Sequence, residues 1–195
     1  MRKLLLLAGC LAAFLTASGQ QRSVTLTTAG TLSSMIGSDE KYSIKSLKVS
    51  GPINGSDVLL LRDMIGVKNI RDVTDGILTS LDLSDARFVK GGDHYTYGYG
   101  NEKIYIDADD ELSRFMFQSC TRLSELKLPR TTKAIGELAF ASCENLRTLE
   151  VPEGVTKIGR GAFVMAGMDE ITLPSSCVEI EDGLFQRMPN LRRVD

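Results

Sequence analysis

A repeat of 22–23 residues constrains the fold of this 195-residue chain more than any other feature of its sequence. Phenylalanines, prolines and isoleucines all recur along its C-terminal half at steps of 23 or 22 residues. Their positions are Phe117, Phe140, Phe163 and Phe185; Pro129, Pro152 and Pro174; and Ile135, Ile158 and Ile180. Three residue types that recur with the same period predict an array of similar units, each of which buries its apolar face only against its neighbours.

The residues of one unit predict a strand, a bend and a short helical turn. Leu126 and Leu128 alternate with charged residues, which indicates a strand with one buried face, and Pro129 ends it because proline cannot donate to a ladder. Ile135 returns to the core, and residues 137–140 predict a helical turn. The Leu-x-x-Leu-x-Leu spacing is typical of a leucine-rich repeat. We therefore predict an α/β solenoid, a right-handed coil with a parallel sheet on one face and short helices or turns on the other.

The period continues towards the N-terminus with weaker matches. Residues 24–26, 44–49, 78–83 and 104–106 predict four further strands, which gives seven in all, although Asn101 fills a slot where leucine is expected. The step from Leu47 to Leu81 is 34 residues, so this unit carries an insertion. Within the insertion, residues 56–65 predict a capped helix.

Three segments follow from these patterns. Residues 1–19 are typical of a secretory signal peptide, with a basic start, an apolar stretch and small residues at the end. A lipoprotein signal with Cys10 as the lipidated residue is the alternative, and either signal predicts a secreted or cell-surface protein. Residues 20–101 are predicted to form a degenerate repeat or cap region with an inserted helix and a Tyr/Gly-rich loop, and residues 102–195 the regular repeats. No apolar run reaches the roughly 18–20 residues that would span a bilayer.

The repeat resembles a known family in the motif that follows each strand. One unit carries Leu128-Pro129, Ile135-Gly136, Ala139-Phe140, Cys143 and Leu146, and the next carries Val151-Pro152, Ile158-Gly159, Ala162-Phe163 and Ala166. This motif is similar to that of the BspA-like leucine-rich repeat proteins of bacterial surfaces. The following unit departs from it, because Glu181 replaces glycine and Leu184 replaces alanine. The resemblance implies surface display, adhesion or protein binding, no cofactor, and no shared catalytic residue.

Two candidate binding surfaces are predicted. The first is the row of strand positions that points away from the core: Lys48, Asp82, Tyr105, Lys127, Glu150 and Thr172. The second is the Tyr/Gly-rich segment at residues 91–101, where Tyr95, Tyr97 and Tyr99 offer contact area at low entropic cost. A surface insertion without a ligand is the alternative interpretation of that segment.

Composition and motif spacing exclude several kinds of chemistry. The formal net charge of −2 argues against non-specific binding to nucleic acid, which needs a surplus of Lys and Arg. His94 is the only histidine, no Cys-x-x-Cys pair occurs, and residues 107–111 do not have the spacing of a calcium loop. No nucleophile elbow surrounds a serine. We therefore predict no metal, no cofactor and no enzymatic activity.

The cysteines leave one question open. Cys120 and Cys143 share a repeat phase, which places them in adjacent units about 5 Å apart, within the range of a disulfide. Side chains in one ladder point in parallel, however, so the pattern favours two buried, reduced thiols, with a disulfide as the alternative. Cys177 is predicted to pack inwards and to be reduced as well.

The function predicted from these features is a secreted or cell-surface, non-catalytic module for protein–protein interaction or adhesion. Its partner would be a host or bacterial surface protein. The alternatives are a carbohydrate-binding or glycoside-hydrolysing surface protein that uses the Tyr-rich loop, and a spacer that binds nothing. End-to-end self-association is a further expectation, because the last unit carries apolar residues such as Ile180 and Val194.

Overall fold

The structure, a computed structural model, describes residues 21–69 and 72–195, so the predicted signal peptide and Cys10 lie outside the described residues. The helices are α1 (Leu32–Met35) and α2 (Gly55–Ile65), and a 3₁₀ turn covers Tyr99–Asn101. The strands are β1 (Gln21–Thr25), β2 (Ser46–Ile53), β3 (Ser80–Asp82), β4 (Ala86–Phe88), β5 (Gly91–Tyr97), β6 (Lys103–Ile106), β7 (Glu111–Leu112), β8 (Glu125–Lys127), β9 (Ala134–Ile135), β10 (Thr148–Glu150), β11 (Lys157–Ile158), β12 (Glu170–Ile171), β13 (Glu179–Ile180) and β14 (Arg193–Val194).

Two rows of parallel strands run across the repeats. The main sheet has the order β1-β2-β3-β8-β10, and β4 pairs with the end of β2. Its register aligns Leu47 with Leu81, then with Leu126 and Leu149. The second row has the order β13-β11-β9-β7, while β12 and β14 form a separate parallel pair. Mostly parallel sheets with few helices agree with the predicted repeat fold.

Phenylalanine rings stack through the centre of the repeats, as the period predicts. Phe117 and Phe140 have ring centroids 5.9 Å apart, Phe140 and Phe163 5.6 Å, and Phe163 and Phe185 6.1 Å. The ring planes are within 12° of parallel in all three pairs. Phe117, Phe140 and Phe163 are fully buried, and Phe185 is partly buried. The assigned repeat phase is therefore confirmed.

One predicted strand of the main sheet is wrong. Residues 104–106 belong to β6, which pairs antiparallel with β5, and β3 pairs directly with β8. The backbone between β5 and β6 reverses where Gly100 and Asn101 have φ of 65° and 64°, and the Gly98 N–H closes the turn on the Glu102 carbonyl at 2.8 Å. Ile104 and Ile106 are buried as a strand pattern requires. The burial pattern thus indicated a strand correctly, but it does not specify which strand becomes the neighbour.

The predicted helix is confirmed as α2, and Asn54 caps it. The Asn54 side chain accepts a hydrogen bond from the Ser56 N–H at 3.0 Å, and Asp57 accepts one from the Asn54 N–H at 2.9 Å, which completes a capping box. The same Asp57 carboxylate accepts the Leu32 N–H at 2.9 Å, so the cap also fixes the start of α1. Gly66, with φ of 110°, ends the helix.

The buried guanidinium of Arg62 joins α2 to the repeats. Its Nη1 donates to the Met116 carbonyl at 2.9 Å and to the Gln118 carbonyl at 3.2 Å, and its Nε donates to the Lys68 carbonyl at 3.2 Å. Its closest polar contacts are carbonyls rather than a carboxylate. Carbonyls that the chain would otherwise leave buried without donors are thereby satisfied.

The three cysteines of the described residues are free thiols. Cys120 and Cys143 are fully buried, and the Cys143 thiol donates to the Phe117 carbonyl at 3.0 Å. Burial raises the pKa of Cys120 to about 11, although the nearby Arg62 acts in the opposite direction. Burial, and then the neighbouring Cys120, raise the pKa of Cys143 well above its ordinary value. Cys177 is only partly buried, so the predicted inward packing is incomplete there.

We expect Phe140→Ala to lower the free energy of unfolding by about 3–5 kcal/mol, because it removes a fully buried ring from the middle of the stack. Phe185→Ala is the matched control and should cost clearly less, because that ring is partly exposed. Urea denaturation of the two variants measures both costs. Equal losses would contradict the central position of Phe140.

We expect Cys177 to be alkylated first in the native protein, and Cys120 and Cys143 only after denaturation. The reason is that alkylation needs an exposed thiolate, and both burial and a raised pKa withhold it. Mass spectrometry after native and denaturing alkylation assigns each thiol. A mass deficit of two hydrogens shared by Cys120 and Cys143 would instead show a disulfide.

Candidate binding surface

Four residues of the predicted outward row come together on the main sheet. The strand register pairs Lys48 with Asp82, Asp82 with Lys127, and Lys127 with Glu150. Lys127 and Glu150 are exposed, and Lys48 and Asp82 are partly exposed. Neighbouring strands lie about 4.8 Å apart. The four side chains therefore form one continuous strip of alternating charge, which we call the charged strip.

One charge of this strip is compensated by an ion pair beside it. Lys48 Nζ lies 2.6 Å from Asp85 Oδ2, and Arg130 Nη1 lies 2.8 Å from Asp85 Oδ1. The hydrogen bond from Lys48 lowers the pKa of Asp85. Burial opposes ionisation of Asp82, but hydrogen bonds from Ser84 and the charges of Lys48 and Lys127 outweigh it and lower its pKa. All these carboxylates are ionised at neutral pH, and opposite charges alternate along the strip.

The other two residues of the predicted row do not join the charged strip. Tyr105 is on β6, whose strand partner is β5, so it is not part of the main sheet. Thr172 follows β12, which pairs with β14 and not with β10. Both side chains are exposed. Tyr105 is absent from the strip because its strand pairs outside the main sheet. Thr172 is absent because the main sheet is interrupted between β10 and β12.

The interruption is an open groove between β10 and β12. It has a volume of about 540 Å³, and its walls are residues 147–153 and residues 169–174. No backbone hydrogen bond of the described residues crosses from one wall to the other. This groove was not predicted, although the sequence contains one irregularity at this point. Phe140 precedes Leu146 by six residues, whereas Phe163 precedes Met168 by only five, so one repeat is a residue shorter here.

The predicted Tyr/Gly-rich loop is instead the strand β5, and one of its candidate residues is wrong as a surface contact. Tyr95 is 0% exposed, and its hydroxyl donates to the Arg114 carbonyl at 2.7 Å. Burial raises the pKa of Tyr95 strongly. The strand is irregular here, because the register with β6 shifts between Gly91 and Thr96. Tyr95 therefore anchors the hairpin of β5 and β6 to the repeats and cannot touch a partner.

The remaining aromatic residues of the hairpin stay accessible. His94 Nε2 lies 3.0 Å from the Tyr97 hydroxyl, and the His94 ring contacts the rings of Tyr97 and Tyr105 edge-on at 4.9 and 6.1 Å. Tyr105 is 45% exposed and Tyr99 is 69% exposed. Tyr99 leans on Phe115, with ring centroids 5.5 Å apart. The hairpin thus presents a small aromatic cluster apart from the charged strip.

A second groove, of about 650 Å³, runs beside this hairpin. Its walls include Tyr105, Asp107, Glu111 and Glu137, and Glu102 at its rim is paired with Arg114. Within residues 21–69 and 72–195, no group of three or more potential metal-ligating side chains is present. No helix in that part of the chain is long and apolar enough to cross a membrane.

The stacked parallel repeats and the phenylalanine ladder define a leucine-rich repeat protein, and comparison with known families agrees. Residues 110–195 match the model of the BspA type leucine-rich repeat region, in six copies. This match confirms the resemblance to the BspA-like leucine-rich repeat proteins that was drawn from the sequence. No curated protein matches the chain significantly.

Solved structures of similar proteins cover the chain unevenly. A leucine-rich repeat protein from Bacteroides ovatus is 22% identical over 65% of this chain and 32% of its own length, with a TM-score of 0.47. One from Bacteroides capillosus is 22% identical over 50% of this chain and 68% of its own length, with a TM-score of 0.40. A leucine rich cell surface protein from Faecalibacterium prausnitzii is 14% identical over 93% of this chain and 52% of its own length, with a TM-score of 0.38. The chain thus spans about a third of the first relative's length.

We expect Tyr95→Phe to lower the free energy of unfolding by about 1 kcal/mol, because it deletes one buried hydrogen bond and keeps the ring. Tyr95→Ala should cost about 3–5 kcal/mol, since the buried ring is lost as well. Tyr99→Ala is the control from the same hairpin and should change stability little. Thermal unfolding of the three variants checks this order, and a harmless Tyr95→Ala would contradict the anchoring role.

Proposed function

We propose that the chain is a non-catalytic protein-binding module displayed outside the cell, and that it binds its partner through the charged strip. The observation that carries the proposal is the strip itself, with Lys48, Asp82, Lys127 and Glu150 in register on hydrogen-bonded strands. A site on a sheet is held more rigidly than one on a loop, so little order has to be gained on binding.

The organisation that we propose for the chain has the same basis as the strip. A right-handed solenoid is the arrangement that parallel strands with crossover connections favour. We also propose the division into a signal peptide at residues 1–19, a cap region at residues 20–101 and the repeats at residues 102–195. The hairpin of β5 and β6 spans the second boundary, so the cap region and the repeats would fold together.

The size of the strip limits the affinity that it provides. A stable protein–protein interface takes roughly 20–30 residues a side, which is far more than four strip residues with their immediate neighbours. Paired opposite charges contribute specificity and association rate more than affinity. The strip alone therefore supports a weak contact, and additional surface, whether from Thr172 or the aromatic cluster, would strengthen it.

The test is capture of surface proteins by residues 20–195 and by variants whose charges are reversed. We expect Asp82→Lys with Lys127→Glu to abolish capture of a specific partner, because each change places like charges against it. Lys103→Glu, on the hairpin outside the strip, is the control and should leave capture intact. Thermal melts confirm that all variants fold.

The opposite pattern would favour a different function. Capture that survives the strip variants, but is lost with Tyr97→Ala and Tyr105→Ala, would contradict the proposal. Binding of the wild-type protein to a glycan array, abolished by the same two tyrosine changes, would then support the carbohydrate-binding alternative. Retention of specific capture by all variants would also exclude the charged strip as the binding site.

A further inference from the structure

The groove between β10 and β12 has a cause that can be identified in the sequence. The phenylalanine stack and the second strand row continue past it without a break: Phe140 and Phe163 are 5.6 Å apart, and Ile135, Ile158 and Ile180 remain paired. The segment from Phe163 to Met168 is one residue shorter than its counterpart in the preceding repeat. The missing residue is therefore absorbed between the aromatic ring and β12, and the main sheet is interrupted at that strand.

The shortened turn passes very close to the preceding repeat. The Gly167 N–H donates to the Cys143 carbonyl at 3.1 Å, and a Cβ placed on Gly167 would lie 2.0 Å from the Glu144 carbonyl oxygen. Only glycine fits such an approach. The turn is thus held against one repeat while the strand after it departs from the ladder, which opens the groove.

Both walls of the groove offer unpaired backbone groups. Thr148 directs its N–H towards β8, where it reaches the Ser124 carbonyl at 3.2 Å. Alternate residues of a strand direct their backbone groups to opposite sides, so the N–H and C=O of Leu149 face the groove. On the other wall, Ile171 accepts from the Asp195 N–H at 3.0 Å, which leaves the backbone groups of Glu170 and Thr172 towards the groove. These groups could pair with the backbone of an added extended segment.

The groove is acidic. Its walls carry the carboxylates of Glu150, Glu153, Asp169 and Glu170, none of which forms an ion pair with a described residue. The one basic residue of the walls is Arg147, and its Nη1 donates to the Gly167 carbonyl. These carboxylates, of which Glu153 also accepts a hydrogen bond from the Ser175 hydroxyl at 3.3 Å, lie beside unpaired strand edges and complement an extended segment that carries lysine or arginine.

We propose that the groove between β10 and β12 binds an extended, basic segment of a partner protein, which adds as a β-strand between the two walls. This inference rests on the proposed function, since it names the chemistry of one partner segment. Each wall is about six residues long, or roughly 20 Å at ~3.3 Å per residue, which suits a segment of similar length. Pro152 and Pro174 lack an N–H and limit the pairing at the far end of the walls.

The probe is an acetylated hexapeptide that alternates lysine with threonine and carries an uncharged fluorophore. Two matched peptides serve as controls: one has methylated amides at alternate positions, and the other has glutamate in place of lysine. We expect fluorescence anisotropy to show binding of the first peptide only, weakening as salt increases. Equal binding of the methylated peptide would overturn strand addition, equal binding of the acidic peptide would overturn the charge argument, and no binding of the lysine peptide would overturn the inference.

Two variants of the protein test the location. Glu153→Lys with Glu170→Lys should weaken binding by at least about tenfold, because two complementary charges become repulsive. Glu144→Lys reverses one carboxylate in the repeat containing β10, outside the groove, and should leave binding unchanged. Insertion of one residue after Ala166 restores the 23-residue spacing and should close the sheet and abolish binding. Melting curves establish that each variant is folded, and unchanged binding by the folded double variant would overturn the location.

The result of the peptide experiment can be distinguished from the result of the capture experiment on the charged strip. If the lysine peptide fails to bind while capture of a partner still depends on Asp82 and Lys127, the groove inference is wrong and the proposed function stands. If the peptide binds and the strip variants have no effect on capture, the groove is the binding site and the charged strip is not.

Discussion

Stacking of identical positions from one repeat onto the next is the constraint on which the rest of this structure depends. No single repeat encloses its own apolar side chains, so burial is gained only between neighbours. The phenylalanine ladder is the clearest expression, with Phe117, Phe140 and Phe163 fully buried and their planes nearly parallel. A ring in the ladder contacts the repeat on either side, and a fixed stacking distance in turn sets the spacing of the strands that carry Lys127 and Glu150.

The N-terminal part satisfies the same constraint by different means, because it lacks the phenylalanines of the ladder. There α2 covers the end of the repeats, and the buried Arg62 donates to the carbonyls of Met116 and Gln118 across that junction. A buried guanidinium is costly unless its donors find partners, and here Nη1 and Nε find carbonyls, whereas Nη2 has no partner among the described residues. Asp57 performs the equivalent task at the other end of α2, where one carboxylate caps the helix and holds Leu32.

The sequence specifies the regular part of the fold well, because Leu126, Ile135 and Phe140 recur in a pattern that only one packing satisfies. It specifies less where two packings satisfy the same pattern. Ile104 and Ile106 are buried by pairing with β5 as well as they would be in the main sheet, so alternation alone could not assign their neighbour. Tyr95 was misplaced for a related reason: composition indicates a binding loop, whereas burial depends on strand register. Four of the six residues in the predicted outward row lie side by side on the main sheet, since strand register there follows the leucines.

The groove between β10 and β12 shows how a repeat protein can change its surface without changing its core. A deletion within a strand would shift every later side chain to the opposite face and destroy the apolar row. Here the deletion lies in the turn before Met168, where Gly167 permits the close approach, and Phe163 and Ile171 both remain buried. The packing that provides most of the stability is preserved, and the change is confined to backbone hydrogen bonds at the edge of one sheet. Such an edge retains its hydrogen-bonding capacity and, beside Glu153 and Glu170, acquires a preference for basic chains.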